Sequence, residues 1–175
     1  MSARRQPGPA KPRRFSAGIV LFRRTGSTGS TGGPQGEGEA QILLGHMGGP
    51  LWRRRDVGAW SIPKGGYEPD EDPFEAARRE YVEEVGLPLP EGPFLPLGDV
   101  VQANNKLVSA WAVEGDLDPA DAVSNRFELE WPPRSGRLQT FPEFDRVDWF
   151  DLDDARARIV AAQAVFVDRL RELLA

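Results

Sequence analysis

The chain has 175 residues, enough for one domain with a sizeable core, and with 39% hydrophobic and 28% charged residues it has the composition of a globular protein. It contains no cysteine, which excludes a disulfide framework, a thiolate metal centre and a thiol nucleophile, and fits a reducing compartment. The net charge of −5 is unevenly distributed: beyond Arg4, Arg5, Lys11, Arg13 and Arg14, residues 15–175 carry 17 Lys and Arg against 27 Asp and Glu, a formal −10. An acidic body argues against nonspecific nucleic-acid binding, which rests on neutralising phosphates.

Residues 1–14 read as a flexible basic tail ahead of a domain spanning 15–175. The apolar run FSAGIVLF imitates a secretory signal, but it is short, lacks a small-residue cleavage pattern and is followed by Arg23 and Arg24. It is read as a buried strand. No stretch approaches the roughly 18 apolar residues of a membrane span, so the expected setting is the cytoplasm, without membrane contact. EAQILLGH reads as a second strand. Between the two, residues 25–39 are rich in Gly, Ser and Thr and read as a flexible hairpin loop across which the strands pair. His46, the single histidine, ends the second strand and is assigned to a turn or the surface.

GAWSIPKGG is a short extended piece broken by Pro63 and a glycine pair. DPFEAARREYVEEVG carries helix signals: Asp72 as N-cap, Pro73 at the first helical position and Gly86 as the stop. Phe74, Ala77, Tyr81 and Val85 form its apolar stripe. LGDVVQ, LVSAWAVEG and DRVDWFDL read as strands. DDARARIVAAQAVFVDRLRELLA reads as one amphipathic terminal helix with Ile159, Ala162, Phe166, Leu170 and Leu173 on its inner side. This interleaving predicts a three-layer α/β/α domain.

Residues 65–87 concentrate eight carboxylates in twenty-three positions. Glu80, Glu83 and Glu84, at i, i+3 and i+4, share one helix face, where like charges repel. Arg78 and Arg79 offset part of that repulsion in a solvated face. The other reading is a hard divalent cation held by oxygen ligands, Mg²⁺ or Mn²⁺ joining carboxylates to substrate phosphates.

The stretch resembles the signature of the Nudix hydrolases: Gly65, Glu71, Arg79, Glu80, Tyr81, Glu83, Glu84, Gly86 and Leu87 meet its spacing. With each of the seven fixed positions taken at about one in ten, a chance match somewhere in the chain has odds on the order of 10⁻⁵. Tyr81 departs from the usual aliphatic residue, and its hydroxyl needs a partner if the ring enters the core. The resemblance implies a Nudix-like α/β/α sandwich with a mixed β-sheet. It also implies hydrolysis of a phosphoanhydride in a nucleoside diphosphate linked to another group, with Mg²⁺ or Mn²⁺ as cofactor. A shorter likeness, in the SAG strand and WSIPKGG, points to the branch that hydrolyses diadenosine polyphosphates.

By that resemblance Glu80 and Glu84 are metal ligands, Glu83 is a ligand or its neighbour, a carbonyl at Gly65 completes the coordination, Arg79 orients a glutamate and Glu71 braces the loop or holds a water to the metal. The general base comes from Glu80 or Glu83, or from Glu128, Glu130 or Glu143, with Glu143 preferred outside the box. Lys64 is placed on a phosphate oxygen or in solvent. Residues 124–146 read as a specificity loop in which Phe127 or Trp131 stacks on a base and Arg134 or Arg137 reaches a terminal phosphate. The expected partner is a small-molecule nucleotide, and the apolar strands and terminal helix leave room for a homodimer interface. A noncatalytic nucleotide-binding module and an RNA 5′-end hydrolase are the competing readings.

Overall fold

The computed structural model describes residues 13–25 and 39–175, so most of the basic tail and of the Gly/Ser/Thr loop lies outside the described residues. Among the described residues, a seven-stranded mixed sheet runs in the order β3-β2-β1-β6-β5, with β4 also pairing β1 and β9 also pairing β2. The strands are β1 (Arg14–Thr25), β2 (Glu39–Met47), β3 (Trp60–Ser61), β4 (Lys64–Tyr67), β5 (Leu95–Gln102), β6 (Lys106–Glu114) and β9 (Phe144–Asp151). A separate two-stranded hairpin is built from β7 (Arg126–Glu130) and β8 (Leu138–Pro142).

β1 organises the sheet. Its inner residues are buried on both faces, as a central strand requires. Ala17, Ile19 and Leu21 face the core beneath α1 (Pro73–Val85), while Val20 and Phe22 face the core shared with α2 (Leu152–Arg158) and α3 (Ala164–Leu174). This alternation produces the three expected layers. β1 pairs in parallel with β6 along one edge. Along its other edge it pairs antiparallel with β4 over its first half and with β2 over its last residues. The predicted pairing of the first two strands is therefore present, from Phe22↔Ile42 to Thr25↔Glu39.

The α1 signals act as predicted. The Asp72 carboxylate accepts from the Phe74 and Glu75 N–H groups, and Gly86 closes the helix in the left-handed conformation at φ 75°. Ala77, Tyr81 and Val85 are buried, and Phe74 packs edge-on against Phe94 and Trp111. The Tyr81 ring enters the core, but its hydroxyl is buried without a hydrogen-bond partner among the described residues.

Several expectations need correction. Arg14 belongs to β1, not to the tail, because β1 continues alongside Lys106 of β6. The terminal helix is broken: Ile159 is extended and bridges Trp60, and the Val160 N–H donates to the Trp60 carbonyl at 2.8 Å. Pairing with β3 thus overrides helix propensity at the break. Leu173 is 51% exposed, and Val167 takes a core place beside Phe166 and Leu170. His46 is fully buried and not at the surface, because both ring nitrogens find hydrogen-bond partners inside: Asp145 Oδ1 at 2.8 Å and the Arg55 carbonyl at 2.7 Å. Residues 124–146 are largely an ordered hairpin, not a loop. No helix among the described residues is long and apolar enough to cross a membrane.

Candidate active site

The site is assembled where the first half of β1 meets β4 and α1. Gly18 lies opposite Lys64, and a Cβ there would stand 2.6 Å from the Pro63 carbonyl, so only glycine lets β4 approach so closely. Lys64, Gly65 and Gly66 are thereby laid along the carboxylate face of α1. A Cβ on Gly65 would overlap the Glu80 carboxylate, and the Gly65 carbonyl accepts the Ser16 hydroxyl at 2.8 Å. The sequence reading missed Ser16; its position directly before the Ala-Gly of β1 is the only signal.

Glu84 is the most deeply placed carboxylate of the box, 8% exposed, and its Oε2 accepts the Lys64 backbone N–H at 2.7 Å. Burial pushes its pKa up to about 8, Lys64 opposes that shift, and nearby Glu143 and Glu80 reinforce it. Glu143, half-buried, is also shifted upward, chiefly by burial, with Lys64 and Glu80 in its field. The structure thus brings the preferred outside glutamate into one electrostatic group with Glu84, Glu80 and Lys64. Its place is fixed by the backbone: the Glu143 N–H donates to Asn125 O at 2.9 Å, and the Gly48 N–H donates to Glu143 O at 2.8 Å. Glu128 and Glu130 lie on β7, where Glu130 accepts the Gly136 N–H at 2.8 Å.

Arg79 organises the outer carboxylates. It bonds Glu71, donates to Glu80 Oε1 at 3.0 Å and to the Gly66 carbonyl at 3.2 Å, and approaches Glu83 at 3.9 Å. Glu83 is more exposed than Glu84, and among the described residues no three acidic or histidine side chains converge as a ready-made metal cage. The chemistry of the donors still fits a hard divalent cation: Glu84 is a buried carboxylate with a raised pKa, within the field of Glu80, whose own carboxylate packs against Gly65. A cation there would reverse the burial penalty.

Lys106, also absent from the sequence reading, starts β6 opposite Arg14. Burial, then Lys64 and Arg14, push its pKa down to about 8. A groove of about 630 Å³ runs past the box, with Gly66, Glu71 and Arg79 on one side and Arg13, Arg14 and Phe15 on the other. That volume suits a small-molecule ligand. Of the remaining expected substrate residues, Phe127 packs beside Phe141 at 6.1 Å and lies against Gly49. Trp131, Arg134 and Arg137 sit at the hairpin tip, away from the Glu84 group, with Arg134 at φ 63° in the turn.

The chain matches the NUDIX domain over residues 12–170 and belongs to that family. Among solved structures it is similar to a C. elegans Ap4A hydrolase in a binary complex, with TM-score 0.58 and 20% identity over 91% of this chain and 97% of that one. It is also similar to the NUDIX domain of Shewanella oneidensis NrtR complexed with ADP ribose, with TM-score 0.59 and 15% identity over 94% and 90% of the two chains. Among curated proteins, an RNA pyrophosphohydrolase of Pseudomonas putida is 51% identical over 47 residues, 26% of this chain. The match spans about 30% of that relative's length.

Proposed function

We propose that the protein is a divalent-metal-dependent hydrolase of a phosphoanhydride bond in a nucleoside diphosphate linked to another group, with Mg²⁺ as the working ion and Mn²⁺ as a substitute. The observation that carries this reading is the buried Glu84 carboxylate, bonded to the Lys64 N–H and grouped with Glu80 and Glu143 beside Gly65. An acidic pocket alone would repel a phosphoanhydride. A cation held by Glu84, Glu80, Glu83 and the Gly65 carbonyl removes that conflict, and when bound it supplies phosphate neutralisation and acidifies the attacking water.

The chain's own residues do the rest. Arg79 orients Glu80 and ties the loop through Glu71 and the Gly66 carbonyl. Lys64 offers an ammonium to a phosphate oxygen. Glu143, whose pKa is raised chiefly by burial, takes the proton from the attacking water. Phe127 and Trp131 offer stacking surfaces for a base, and Arg134 and Arg137 offer charge for a distal phosphate. The substrate class is a small-molecule nucleotide, a dinucleoside polyphosphate or nucleoside triphosphate among the candidates, and the working compartment is the cytoplasm.

The test is hydrolysis of a panel of diadenosine polyphosphates, nucleoside triphosphates, ADP-ribose and nucleotide sugars, with Mg²⁺ and with chelator. Turnover of one class only when Mg²⁺ is present is expected. Nucleotide binding with no turnover of any panel member would replace the enzyme by a binding module.

A further inference from the structure

Glu143 stands beside a defect in the sheet. β9 pairs β2 in continuous register from Asp151 opposite Gln41 to Arg146 opposite His46, and then slips: Met47 lies opposite Phe144, and Asp145 is passed over. An extra residue on one strand is a β-bulge, which bends that strand and re-aims the side chains next to it. The effect is visible in the core. Phe144 and Val147, at i and i+3, both pack beneath α1, where a regular strand would turn them to opposite faces. In unbroken register the residues before Asp145, Glu143 included, would take the opposite side from the one they take here.

A buried ring holds the bulge. Asp145 Oδ1 lies 2.8 Å from Nδ1 of His46, which is fully buried. Nε2 donates to the Arg55 carbonyl at 2.7 Å, since a carbonyl oxygen only accepts. The Trp60 ring meets the imidazole edge-on, with centroids 5.1 Å apart. The backbone is tied at the same place: the Met47 N–H bonds the Ala59 carbonyl at 2.9 Å, the Gly48 N–H bonds the Glu143 carbonyl at 2.8 Å, and the Glu143 N–H bonds the Asn125 carbonyl at 2.9 Å. A Cβ on Gly45 would stand 2.3 Å from the Phe144 ring, so the shifted ring fits only over glycine. The bulge also faces the box: Glu84, Phe144 and Asp145 line one cavity of about 190 Å³.

We propose that His46 is a positioning residue for the hydrolysis, clamping through Asp145 the bulge that holds the Glu143 carboxylate in the group of Glu84, Glu80 and Lys64. The clamp joins two segments that the chain brings together only by folding, the end of β2 with its following loop and the start of β9. His46 and Asp145 act on the reaction only through Glu143. The demand on such a clamp is strict, because a displacement of about 1 Å at a reacting group can cost about a hundredfold in rate.

This role rests on the reading of Glu143 as the proton acceptor, and two readouts separate them. Amide hydrogen exchange of the full chain in chelator reports the bulge without turnover. Values of kcat and KM with Mg²⁺ on diadenosine tetraphosphate, ATP and ADP-ribose report its use. The variants are D145A, D145N, H46Q and E143Q, with the double variant D145A/E143Q. H46Q keeps the reach to the Arg55 carbonyl and loses Asp145; D145A changes a side chain that is 28% exposed and decides the matter if H46Q does not fold. D145A and H46Q are expected to speed exchange at the Glu143 and Gly48 amides by about tenfold or more, with the amides of α1 unchanged. They are expected to lower kcat by about 10- to 100-fold, with KM altered less than about threefold. D145N, whose amide can still meet the imidazole, should restore both readouts. In the E143Q background D145A should cost no more than about a further twofold, because its effect runs through Glu143. Unchanged exchange at both amides, D145N as damaging as D145A, or a D145A cost in E143Q equal to that in the unmodified protein would overturn the inference. No turnover of any of the three compounds by the unmodified protein would overturn the hydrolase reading and the catalytic use of the clamp with it, whereas full turnover with unchanged exchange in the variants would overturn the clamp alone.

Discussion

Replacing Glu84 with glutamine is expected to stabilise the metal-free protein near neutral pH. Burial raises the Glu84 pKa from its ordinary 4.5 to about 8, so the folded chain holds a proton that the unfolded chain has released. A raised folded pKa means stability that is fully present below the unfolded value and is lost as pH rises through the folded one. Between pH 4.5 and pH 7 each pH unit costs about 1.4 kcal/mol, or about 3 kcal/mol at pH 7. Glutamine carries no charge to desolvate, and its amide oxygen can still accept the Lys64 N–H. At about 2–4 °C per kcal/mol for a chain of this size, the variant's Tm should exceed that of the unmodified protein by about 6–12 °C at pH 7. The two should converge near pH 5. The assay is thermal unfolding in chelator from about pH 5 to about pH 8. A constant offset between the two proteins across that range, or a variant less stable at the alkaline end, would refute the reasoning.

Other outcomes follow from the same geometry. Gly65→Ala should displace the Glu80 carboxylate and lower kcat by about a hundredfold, with thermal unfolding nearly unchanged; full activity would mean Glu80 is not positioned by this contact. Glu143→Gln should lower kcat by about 10²-fold or more and remove the acidic limb of the pH–rate profile, whereas loss of activity with an unaltered profile would make Glu143 a positioning residue. Tyr81→Phe removes a buried hydroxyl that has no partner among the described residues. It should be neutral or stabilising by about 1 kcal/mol in urea unfolding, and a clear loss would reveal a bond to that oxygen. His46→Ala should cost about 2–4 kcal/mol through a cavity and two abandoned hydrogen-bond partners, also read by urea unfolding.

The parts legible in the sequence are those whose causes are local. Asp72, Pro73 and Gly86 mark the ends of α1 by capping chemistry that operates within a few residues, and the unbroken apolar run of β1 announces a strand buried on both faces. The box spacing locates Glu80 and Glu84 for the same reason. What was not legible depends on distant partners. The helix break at Ile159 exists because Trp60 bridges it, and the burial of His46 requires Asp145, 99 residues away. The hairpin is seated on the end of α1 by bonds from Val123 and Asn125 to the Val85 and Glu83 carbonyls. The family pattern carries no trace of those contacts. Lys106 stood in plain view as a lone lysine opening an apolar strand, but its closeness to Lys64 and Arg14 is a product of sheet register.

The central claim is that the Glu84 group receives a divalent cation, and the most direct measurement is calorimetric titration of Mg²⁺ or Mn²⁺ at pH 7 in buffers of different ionisation enthalpy. Because the Glu84 pKa stands at about 8, binding there should release close to one proton per ion, and Glu84→Gln should abolish that release and weaken binding severely. Absence of binding to the unmodified protein, or binding with the same proton release in the variant, would contradict the account.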